Sequence, residues 1–464
     1  MSIENCQNLV IGSGVGGKLL AWTLARRGER TVVVERSMVG GSCPNVACLP
    51  SKNVIYSAKA VSLVDPDTGL GVVTGPVRVD MAGVARRKRR MVDELVERHL
   101  DNFKASGVEL VMGEARFTGP KTVRVEQNAG GVRSLRGERV FINVGTRAAI
   151  PDVPGLALAG PMTHVEALDL ERLPERLVVL GGGYVGLEFA QAMRRFGSRV
   201  TIVQRGARIL DREDPDVANA LRELMEDEGI EVLLRSELLA VEGVSGAGVR
   251  LRVRSGAGER TLEASDILVA AGRTPNTDQL DADRAGVELD ARGYIRVNDR
   301  LQTSAPDVWA TGECAGSPQF THVGEDDFRV VLDNLAGGSR TTRGRLIPYC
   351  LFTDPELAHV GLNESEALAA GVSYRIARMP MAKVLRTYTL SQPRGFMKAL
   401  IGADDRILGF TAFGAEASET MAVAQTAMLG GLPYTALRDA IFTHPTAAEG
   451  LLGLFADPPV APAP

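Results

Sequence analysis

Two stretches of the chain repeat one order of apolar and polar positions. In the first, the mostly apolar run NLVI at residues 8–11 leads into the turn GSGVGG at residues 12–17, an apolar helical pattern, and a second run, TVVV, at residues 31–34. In the second, LVVL at residues 177–180 leads into GGGYVG at residues 181–186, and RVTIV follows at residues 199–203. Short apolar runs that alternate with helical patterns predict parallel strands covered by helices. The pattern therefore predicts an α/β fold with two similar units.

The glycines of the first unit have the spacing of a Rossmann-like dinucleotide-binding turn. Gly12 would permit the tight turn, Gly14 would let the backbone approach a pyrophosphate, and Gly17 would allow the helix to pack closely on the strand. Phosphates would lie at the helix N-terminus, and Glu35, which follows the second strand, would accept hydrogen bonds from a ribose. Because strand, helix and acid all stand in the right order, an ordinary glycine-rich turn is the weaker interpretation.

The second unit differs from the first at the end of its second strand. Its glycines repeat the spacing at Gly181, Gly183 and Gly186. The strand ends in Gln204 and Arg205, with Arg208 nearby, where an acid would favour the free ribose hydroxyl of NAD. Arginine suits the additional phosphate of NADP. We therefore expect NADPH, with NADH as the alternative and simple solvent exposure as the other interpretation of the two arginines.

Turns that end apolar runs divide the rest of the chain. Asn143–Thr146 and 270–276 each end a strand and open a linker that contains proline, and Thr311-Gly312-Glu313 ends another apolar run. From about residue 345 strands alternate with amphipathic helices without glycine-rich phosphate turns. The expected segments are a first nucleotide-binding segment at 1–150, a second nucleotide-binding domain at 151–281, a return segment at 282–344, a C-terminal domain at 345–456, and a proline-rich tail at 457–464 that is disordered or extended.

Composition and charge narrow the expected partners and location. The 464 residues are 45% hydrophobic, enough for several cores, and the net charge of −4 gives no general attraction to nucleic acid or anionic membranes. The basic run Arg86–Arg90 precedes apolar residues at helical spacing, so we interpret it as a solvated helix face. No apolar run is long enough to span a bilayer, and the first strand begins where a signal peptide would lie. A cytoplasmic location is therefore expected.

Cys43 and Cys48 carry the clearest chemical signal. A reducing compartment disfavours a structural disulfide, and the chain has no second close cysteine pair to complete a zinc site, so no metal is expected and redox chemistry is favoured. A bend at Pro44-Asn45 would let the two sulfurs join. A helix that starts near Leu49-Pro50 would stabilise a thiolate at Cys48. The remaining cysteines are interpreted as ordinary thiols: Cys6, Cys314 and Cys350.

Together these features resemble the flavoprotein pyridine nucleotide–disulfide oxidoreductases, the group of glutathione reductase, dihydrolipoamide dehydrogenase and the mercuric reductase core. The resemblance covers almost the whole chain. It implies an FAD domain built from 1–150 and 282–344, an inserted NAD(P) domain, and a C-terminal α+β dimerisation domain. The implied FAD contacts are Gly12, Gly14, Gly17, Glu35, Gly41, Ser42, Lys52, Gly145, Thr146, Gly312 and Glu313. The implied NAD(P) contacts are Gly181, Gly183, Tyr184, Gly186, Glu188, Gln204, Arg205, Arg208 and Gly272.

The same resemblance assigns roles in an electron relay. Cys48 would contact the flavin in a charge-transfer complex, and Cys43 would attack the substrate. Lys52 would lie against the flavin and pair with Glu188, because a buried lysine needs a carboxylate partner. Tyr184 would cover the flavin face and swing aside to admit nicotinamide. Family members usually carry Asp where this chain has Glu313, and the longer side chain would shift that contact with the flavin.

The acid–base group is expected near the C-terminus. His444 is a natural proton shuttle, and Glu449 can orient its ring, in a segment that reads FTHPTAAEG. The resemblance implies that this pair is supplied by the neighbouring subunit, so that activity requires a homodimer.

The sequence predicts the substrate only by class. The first hypothesis is that NAD(P)H reduces a small-molecule disulfide. The alternatives are oxidation of dihydrolipoamide-type dithiols with NAD, reduction of a metal ion, and a redox-sensing flavoprotein without catalysis. Phe442 replaces the additional histidine typical of dihydrolipoamide dehydrogenases, and the C-terminal cysteine pair of mercuric reductases is missing, since no cysteine follows Cys350.

Overall fold

The computed structural model describes residues 2–64 and 70–462. Its first part contains β1 (Ile3–Ile11), α1 (Val15–Arg26), β2 (Thr31–Glu35), α2 (Ser42–Asn45), α3 (Cys48–Leu63), α4 (Met81–Ser106), β3 (Glu109–Gly119), β4 (Thr122–Gln127), β5 (Val132–Ile142) and β6 (Thr146–Ala148). The strands β3, β2, β1 and β5 lie side by side and parallel, and β4 pairs antiparallel with both β3 and β5. This sheet is buried on both faces, because Leu9 and Ile11 pack in one core and Val10 packs in another.

The second part forms a separate parallel sheet. It contains α5 (His164–Ala167), β7 (Arg176–Leu180), α6 (Tyr184–Phe196), β8 (Arg199–Val203), α7 (Pro215–Asp227), β9 (Glu231–Leu233), β10 (Glu237–Val244), β11 (Gly248–Ser255), β12 (Gly258–Ala264), β13 (Asp266–Val269) and β14 (Arg273–Pro275). The parallel order is β13-β7-β8-β9, and β10-β11-β12 form an antiparallel sheet beside it. The short strands β6 and β14 pair where the chain enters and leaves this part.

Both parallel sheets pack closely against the helix that follows their first glycine-rich turn. A Cβ atom on Gly17 would lie 2.4 Å from the Gly12 carbonyl oxygen, and one on Gly186 would lie 2.1 Å from the Gly181 carbonyl oxygen. Neither position can accept a side chain without moving the helix away from the strand. The third glycine of each unit therefore fixes the distance between helix and sheet, as its spacing predicts.

The chain then returns to the first sheet before it forms the C-terminal part. A 3-10 helix at Ala282–Ala285 precedes β15 (Val308–Ala310), which pairs parallel with β5, and another at Gly312–Ala315 precedes α8 (Thr321–Leu335). The C-terminal elements are β16 (Tyr349–Leu351), β17 (Glu356–Gly361), α9 (Glu364–Ala369), β18 (Arg375–Pro380), a 3-10 helix at Met381–Lys383, α10 (Leu385–Leu390), β19 (Phe396–Ile401), β20 (Ile407–Gly414), α11 (Ala417–Leu429), α12 (Tyr434–Arg438) and α13 (Gly450–Leu454). The strands form an antiparallel sheet in the order β16-β17-β20-β19-β18.

A buried ammonium joins the second part of the chain to the C-terminal part. Lys398 on β19 is 1% exposed, and its Nζ lies 2.9 Å from Asp214, 2.9 Å from Asp216 and 2.6 Å from Glu364. A buried charge is tolerated when several opposite charges and hydrogen bonds surround it. The three carboxylates thus have a lysine as their common partner.

The predicted fold class is confirmed: two parallel α/β units are followed by an α+β domain. The interpretation of Arg86–Arg90 as one solvated face is wrong at Lys88, which is buried and pairs with Asp169 at 2.6 Å. Of the two expectations for the tail, disordered or extended, the structure favours the extended one at Val460. Val460 pairs with Ile376 through two backbone hydrogen bonds, so part of the tail is ordered against the edge of the C-terminal sheet. Residues 463 and 464 lie outside the described residues.

The limits of the five predicted segments remain predictions. Within residues 2–64 and 70–462, no helix combines the length and the apolar character that crossing a bilayer requires.

Candidate active site

A cavity of about 420 Å³ opens where β1, β2 and β5 end. The carboxyl ends of parallel strands are where nucleotide ligands bind in α/β sheets. Most of the residues predicted to contact the first nucleotide line this one cavity: Gly12, Gly14, Glu35, Gly41, Ser42, Gly145, Thr146, Gly312 and Glu313. Cys43 lines it as well, so this cysteine and the predicted contacts of the first nucleotide border the same cavity.

Two glycine-containing segments meet at the bottom of the cavity. A Cβ atom on Gly41 would lie 2.5 Å from the Cα atom of Gly14, and Gly41 also has a φ of +80°. Gly14 immediately precedes α1 and leaves the first N–H groups of that helix facing the cavity. Backbone donors beside an open wall suit a pyrophosphate, because a side chain at either glycine would fill the space.

Glu35 holds the turn beside this wall. One oxygen of its carboxylate accepts from the Ser13 N–H at 2.9 Å and the Ser13 hydroxyl at 2.7 Å. The other oxygen accepts from the N–H groups of Ser37 at 2.9 Å and Met38 at 3.0 Å. The carboxylate is therefore fixed in place while it still borders the cavity, which is where a ribose hydroxyl could reach it.

Asn143 is a cavity residue that sequence reasoning missed. Its Nδ2 donates to the Thr311 carbonyl at 2.9 Å and to the Thr311 hydroxyl at 3.0 Å. Its Oδ1 is buried and accepts no hydrogen bond from the described residues. A buried acceptor without a partner costs free energy. Its position directly after β5, next to Gly145 and Thr146, was the available signal.

Glu313 is held by protein groups on the opposite side of the cavity. The Thr146 hydroxyl donates to its carboxylate, and Arg273 Nε lies 3.1 Å from the same oxygen. The Gly312 N–H donates to Asp327 at 2.7 Å. The longer side chain is thus anchored to two segments that line the cavity, and its predicted contact with a flavin stays a prediction.

The two cysteines lie on either side of the short segment that joins α2 to α3. Cys43 lies within α2. The Asn45 side chain donates to the carbonyls of Val39 at 3.0 Å and Gly41 at 2.8 Å, which ties α2 to the segment before it. Cys48 is the first residue of α3, as predicted from Pro50. Both cysteines are free thiols in this structure.

The pKa values of the two thiols are shifted in opposite directions. A hydrogen bond from Cys43 lowers the pKa of Cys48 to about 6, with further contributions from Thr321, from the charge of Lys52 and from the N–H of Cys48 itself. The same hydrogen bond, together with burial, raises the pKa of Cys43. The helix N-terminus contributes to the Cys48 thiolate as predicted, through the N–H of Cys48, and the neighbouring thiol contributes more. Near neutral pH Cys48 is the thiolate and Cys43 is its donor.

Thr321 is a second residue that sequence reasoning missed. It begins α8, and its hydroxyl lies 3.1 Å from the Cys48 sulfur. The two residues are 273 positions apart, so no local pattern links them. A hydroxyl that donates to a thiolate favours the charged form.

Replacing Thr321 with valine should raise the pKa of Cys48 above its value of about 6. The expected shift is about one pH unit, because one stabilising hydrogen bond to the thiolate is lost. The ultraviolet absorbance of the thiolate, followed against pH in the reduced protein, measures this midpoint. Thr321→Ser keeps the hydroxyl and should keep the midpoint. An unchanged midpoint in the valine variant would show that the hydroxyl does not act on Cys48.

Lys52 and Glu188 form the ion pair that the sequence suggested. Lys52 Nζ lies 2.9 and 2.8 Å from the two oxygens of Glu188, which is 6% exposed. Glu188 also accepts from the backbone N–H of Phe352 at 2.9 Å, and the Phe352 ring lies 4.8 Å from the ammonium. The pair is therefore fixed beside Cys48, whose thiolate the lysine stabilises.

Tyr184 is held by a buried carboxylate. Its hydroxyl donates to Glu213 at 2.9 Å, and the hydroxyl of Tyr349 donates to the same oxygen at 2.8 Å. Burial and the Glu213 charge raise the pKa of both tyrosines, so both stay protonated. The Tyr184 ring packs edge-on against Phe320, a residue of the cavity wall. Glu213 and Tyr349 escaped sequence reasoning because Glu213 is 29 positions from Tyr184 and Tyr349 belongs to β16 of the C-terminal part, so no local pattern links the three.

The second nucleotide-binding unit lies at the ends of β7 and β8. The Gln204 side chain accepts from the Gly182 N–H at 3.0 Å and donates to the Arg208 carbonyl at 3.1 Å, so it braces the turn. Arg205 is exposed and Arg208 is half-buried. Neither guanidinium has an ion-pair partner among residues 2–64 and 70–462. Gly181, Gly183 and Gly272 lie around this turn and at the end of β13.

His444 and Glu449 form the predicted pair, which is not joined to the cysteines by a hydrogen bond among the described residues. His444 Nδ1 lies 2.9 and 3.0 Å from the two oxygens of Glu449. The histidine side chain is 61% exposed, and neither residue hydrogen-bonds to Cys43 or Cys48 within the described part of the chain. Glu449 therefore orients the imidazole ring through Nδ1 within one subunit, which leaves Nε2 available to a group on another subunit.

Comparison with known proteins agrees with this architecture. Residues 7–327 match the pyridine nucleotide-disulphide oxidoreductase family, and residues 347–453 match the dimerisation domain of that family. The chain is 34% identical to the probable pyridine nucleotide-disulfide oxidoreductase RclA of Escherichia coli (strain K12), over 97% of this chain and 98% of that protein. It is 35% identical to a mercuric reductase of Acidithiobacillus ferrooxidans, over 95% of this chain and 80% of that protein.

A dihydrolipoyl dehydrogenase of Thermus scotoductus is 34% identical, over 96% of this chain and 95% of that protein. Among solved structures, the Cu(II) complex of the HOCl-induced flavoprotein disulfide reductase RclA from Escherichia coli matches with a TM-score of 0.89 and 32% identity, over 98% of this chain and 99% of that chain. With the cavity, the paired cysteines and both nucleotide-binding units in place, this chain belongs to the pyridine nucleotide-disulphide oxidoreductases, as an FAD-dependent enzyme that acts on sulfur groups.

Proposed function

We propose that the enzyme uses NADPH to reduce a small-molecule disulfide and works as a homodimer. The observation that carries this proposal is the cysteine pair itself. One sulfur lines the cavity, and the other starts a helix with its pKa lowered to about 6. Such a pair can alternate between a disulfide and a thiol–thiolate state, which is the requirement of a thiol–disulfide relay.

The cavity residues are proposed to hold FAD. Gly12, Gly14 and Gly41 would give backbone contact to the pyrophosphate, and Glu35 would bind a ribose. The orphaned Asn143 oxygen and the Glu313 region would face the remaining polar groups of the cofactor. Bound FAD would carry two electrons from the nicotinamide to the cysteines. Lys52 would place a positive charge beside it, and Glu188 would hold that charge in position.

The chain's own groups then complete the substrate step. Cys43 gives its proton to His444 and attacks one sulfur of the substrate, which forms a mixed disulfide and breaks the substrate S–S bond. His444 returns the proton to the departing thiolate. The Cys48 thiolate attacks Cys43, releases the second half of the substrate, which takes a proton from solvent, and restores the Cys43–Cys48 disulfide. Glu449 would hold the imidazole in the correct tautomer during both transfers.

The homodimer follows from the position of His444. Its imidazole is exposed and makes no hydrogen bond to the cysteines of its own chain within residues 2–64 and 70–462, so a second copy would bring it to them. The C-terminal domain also exposes large apolar side chains, of which Ile441 lies three residues before His444: Leu385, Tyr388, Leu429, Leu432 and Ile441. Ile441 is 101% exposed, and contact with a second copy of the same domain would remove this apolar surface from water.

Preference for NADPH rests on two arginines that have no ion-pair partner among the described residues, 2–64 and 70–462. Arg205 and Arg208 follow β8, where a nucleotide ribose would lie, and Gln204 supplies no negative charge there. A ribose phosphate would give the guanidinium groups the anion that they lack. A cytoplasmic location stays a prediction.

Metal-ion reduction is a second candidate, favoured by the relatives. One is described as a mercuric reductase, and the RclA structure is described as a Cu(II) complex. A thiolate next to a thiol is also a suitable ligand pair for a soft metal ion. Oxidation of dihydrolipoamide is favoured by the Thermus scotoductus relative, and it would use the same groups in the reverse direction.

Steady-state rates across a substrate panel separate these candidates. The purified holoenzyme is assayed with NADPH and with NADH against oxidised glutathione, cystine, lipoamide, mercuric ion and cupric ion, and with NAD against dihydrolipoamide. We expect a disulfide to give the highest kcat/KM and NADPH to exceed NADH by about tenfold or more, the scale of a charged phosphate contact. Turnover confined to a metal ion or to dihydrolipoamide would overturn the proposal in favour of that alternative.

A further inference from the structure

A buried lysine lies beneath the turn that carries Cys43. Lys18 on α1 is 8% exposed, and its Nζ donates to the carbonyl of Gly40 at 3.2 Å. The same nitrogen lies 2.6 Å from Nε2 of His99 on α4. Two helices thus bring a cationic side chain and an imidazole to the start of the redox turn.

The hydrogen bonds fix the proton positions in this pair. His99 Nδ1 lies 2.5 Å from the carbonyl of Leu95, and a carbonyl can only accept, so Nδ1 carries the ring proton. In the neutral ring Nε2 is then the acceptor, and Lys18 must donate to it. Burial lowers the pKa of His99, which favours this neutral form. Lys18 is therefore the charged member of the pair.

The turn lies directly on these two residues. A Cβ atom on Gly40 would be 3.0 Å from the His99 ring and 3.1 Å from the ring of Pro44, the residue after Cys43. Gly40 therefore keeps the segment that leads to Cys43 in contact with His99 and Lys18. The Trp22 ring, 6.0 Å from the ammonium, covers another side.

Lys18 lacks the partner that a buried ammonium normally has. In residues 2–64 and 70–462 no carboxylate lies within ion-pair distance of it, although Lys52, Lys88 and Lys398 each have one. An unpaired buried charge is unfavourable unless an anion forms next to it. The group whose negative charge acts on Lys18 is the Cys43 thiolate, which the same turn carries.

We propose that Lys18 is a positioning residue whose ammonium, held by Gly40 and His99, stabilises the Cys43 thiolate that attacks the substrate. The proposal rests on the proposed function in assigning the attack to Cys43. His444 of the second subunit would act as the base, and Lys18 would supply a fixed positive charge from the same subunit as Cys43.

The electrostatics of the two groups are reciprocal. Burial lowers the pKa of Lys18 to about 8, and the Cys43 thiolate raises it. Lys18 in turn lowers the pKa of Cys43, against the raising effects of its bond to Cys48 and of burial. The other groups that face Cys43 are Cys48 and Thr321, whereas the charge of Lys52 acts on Cys48. The stabilisation by Lys18 is present below its pKa and is lost as the pH rises through about 8.

The test is the pH dependence of Cys43 alkylation in Lys18→Met. The reduced holoenzyme is treated with iodoacetamide from neutral to alkaline pH, and the labelling of Cys43 is measured by peptide mass spectrometry. Near neutral pH, where Lys18 is still protonated, we expect labelling of Cys43 to be about tenfold slower than in wild type, because the thiolate loses about one pH unit of stabilisation. The difference should close where wild-type Lys18 loses its own proton.

Lys18→Arg is the matched control, because it keeps a positive charge and should recover most of the wild-type labelling rate near neutral pH. Bound-flavin absorbance establishes that each variant is folded. If Lys18→Met does not retain flavin, Lys18→Gln replaces it, since the amide keeps a donor for Gly40 without the charge. An unchanged labelling rate near neutral pH in a folded, uncharged variant would overturn the proposal. Alkylation requires no turnover, so failure of the enzyme to reduce any disulfide would overturn the proposed function and leave this measurement interpretable.

Discussion

Replacing Cys43 with serine should abolish turnover of disulfide substrates while NADPH still reduces the bound flavin. Serine cannot form the mixed disulfide, and it removes the sulfur that must rejoin Cys48. The loss should be at least about three orders of magnitude, the scale for removing a nucleophile. Stopped-flow absorbance of the flavin measures the first half of the reaction, and consumption of NADPH with a disulfide measures the whole.

Cys350→Ser is the matched control for this variant. Cys350 is half-buried on β16, and burial raises the pKa of its thiol, so it is not a nucleophile near neutral pH. Its replacement should leave disulfide turnover close to the wild-type rate. Substantial disulfide turnover by Cys43→Ser would show that the electrons leave the protein by another route.

His444→Ala should slow the substrate half-reaction by about two to four orders of magnitude, the usual contribution of a general acid–base group. Flavin reduction by NADPH should be unchanged, because the proposed role of His444 begins only when Cys43 attacks the substrate. Glu449→Gln keeps a hydrogen-bonding side chain without the charge and should give an intermediate loss. Single-turnover reduction of the substrate by the prereduced enzyme provides the rate. A wild-type rate in His444→Ala would remove this residue from the mechanism.

Mixing the two inactive variants tests whether the site is shared. A dimer of one Cys43→Ser subunit and one His444→Ala subunit has one site with both native groups if His444 crosses to the other subunit. Random exchange should then restore about a quarter of the wild-type rate, since half of the dimers are mixed and each has one intact site. If the two groups act within one chain, no mixed dimer has an intact site and the mixture stays inactive.

The sequence predicts those parts of the molecule that depend on neighbouring residues. The apolar runs around Val10 and Val179 become buried strands, and Pro50 marks the helix that begins at Cys48. The close packing at Gly17 follows from a steric rule that acts over a few residues. Local rules of this kind need no knowledge of the tertiary structure.

The parts that escaped prediction depend on contacts between distant segments. Thr321 reaches Cys48 across 273 positions, and Lys18 meets His99 across 81. Lys88 looks like one of five solvated basic residues until Asp169 is placed beside it by the fold. Val460 lies in a proline-rich tail whose composition predicts a disordered or extended chain, and the open edge of β18 offers backbone partners. In each case the decisive partner is supplied by topology.

Glu188 limits how modular this protein can be. Its carboxylate binds Lys52 from the first segment and the Phe352 N–H from the C-terminal segment, and it is itself carried by the helix between them. A chimaera in which everything after residue 345 is exchanged must therefore place a backbone N–H within hydrogen-bonding distance of the Glu188 oxygen that Phe352 contacts. Any residue except proline can supply it, so recombination at this boundary tolerates almost any sequence at position 352 but not a displaced backbone.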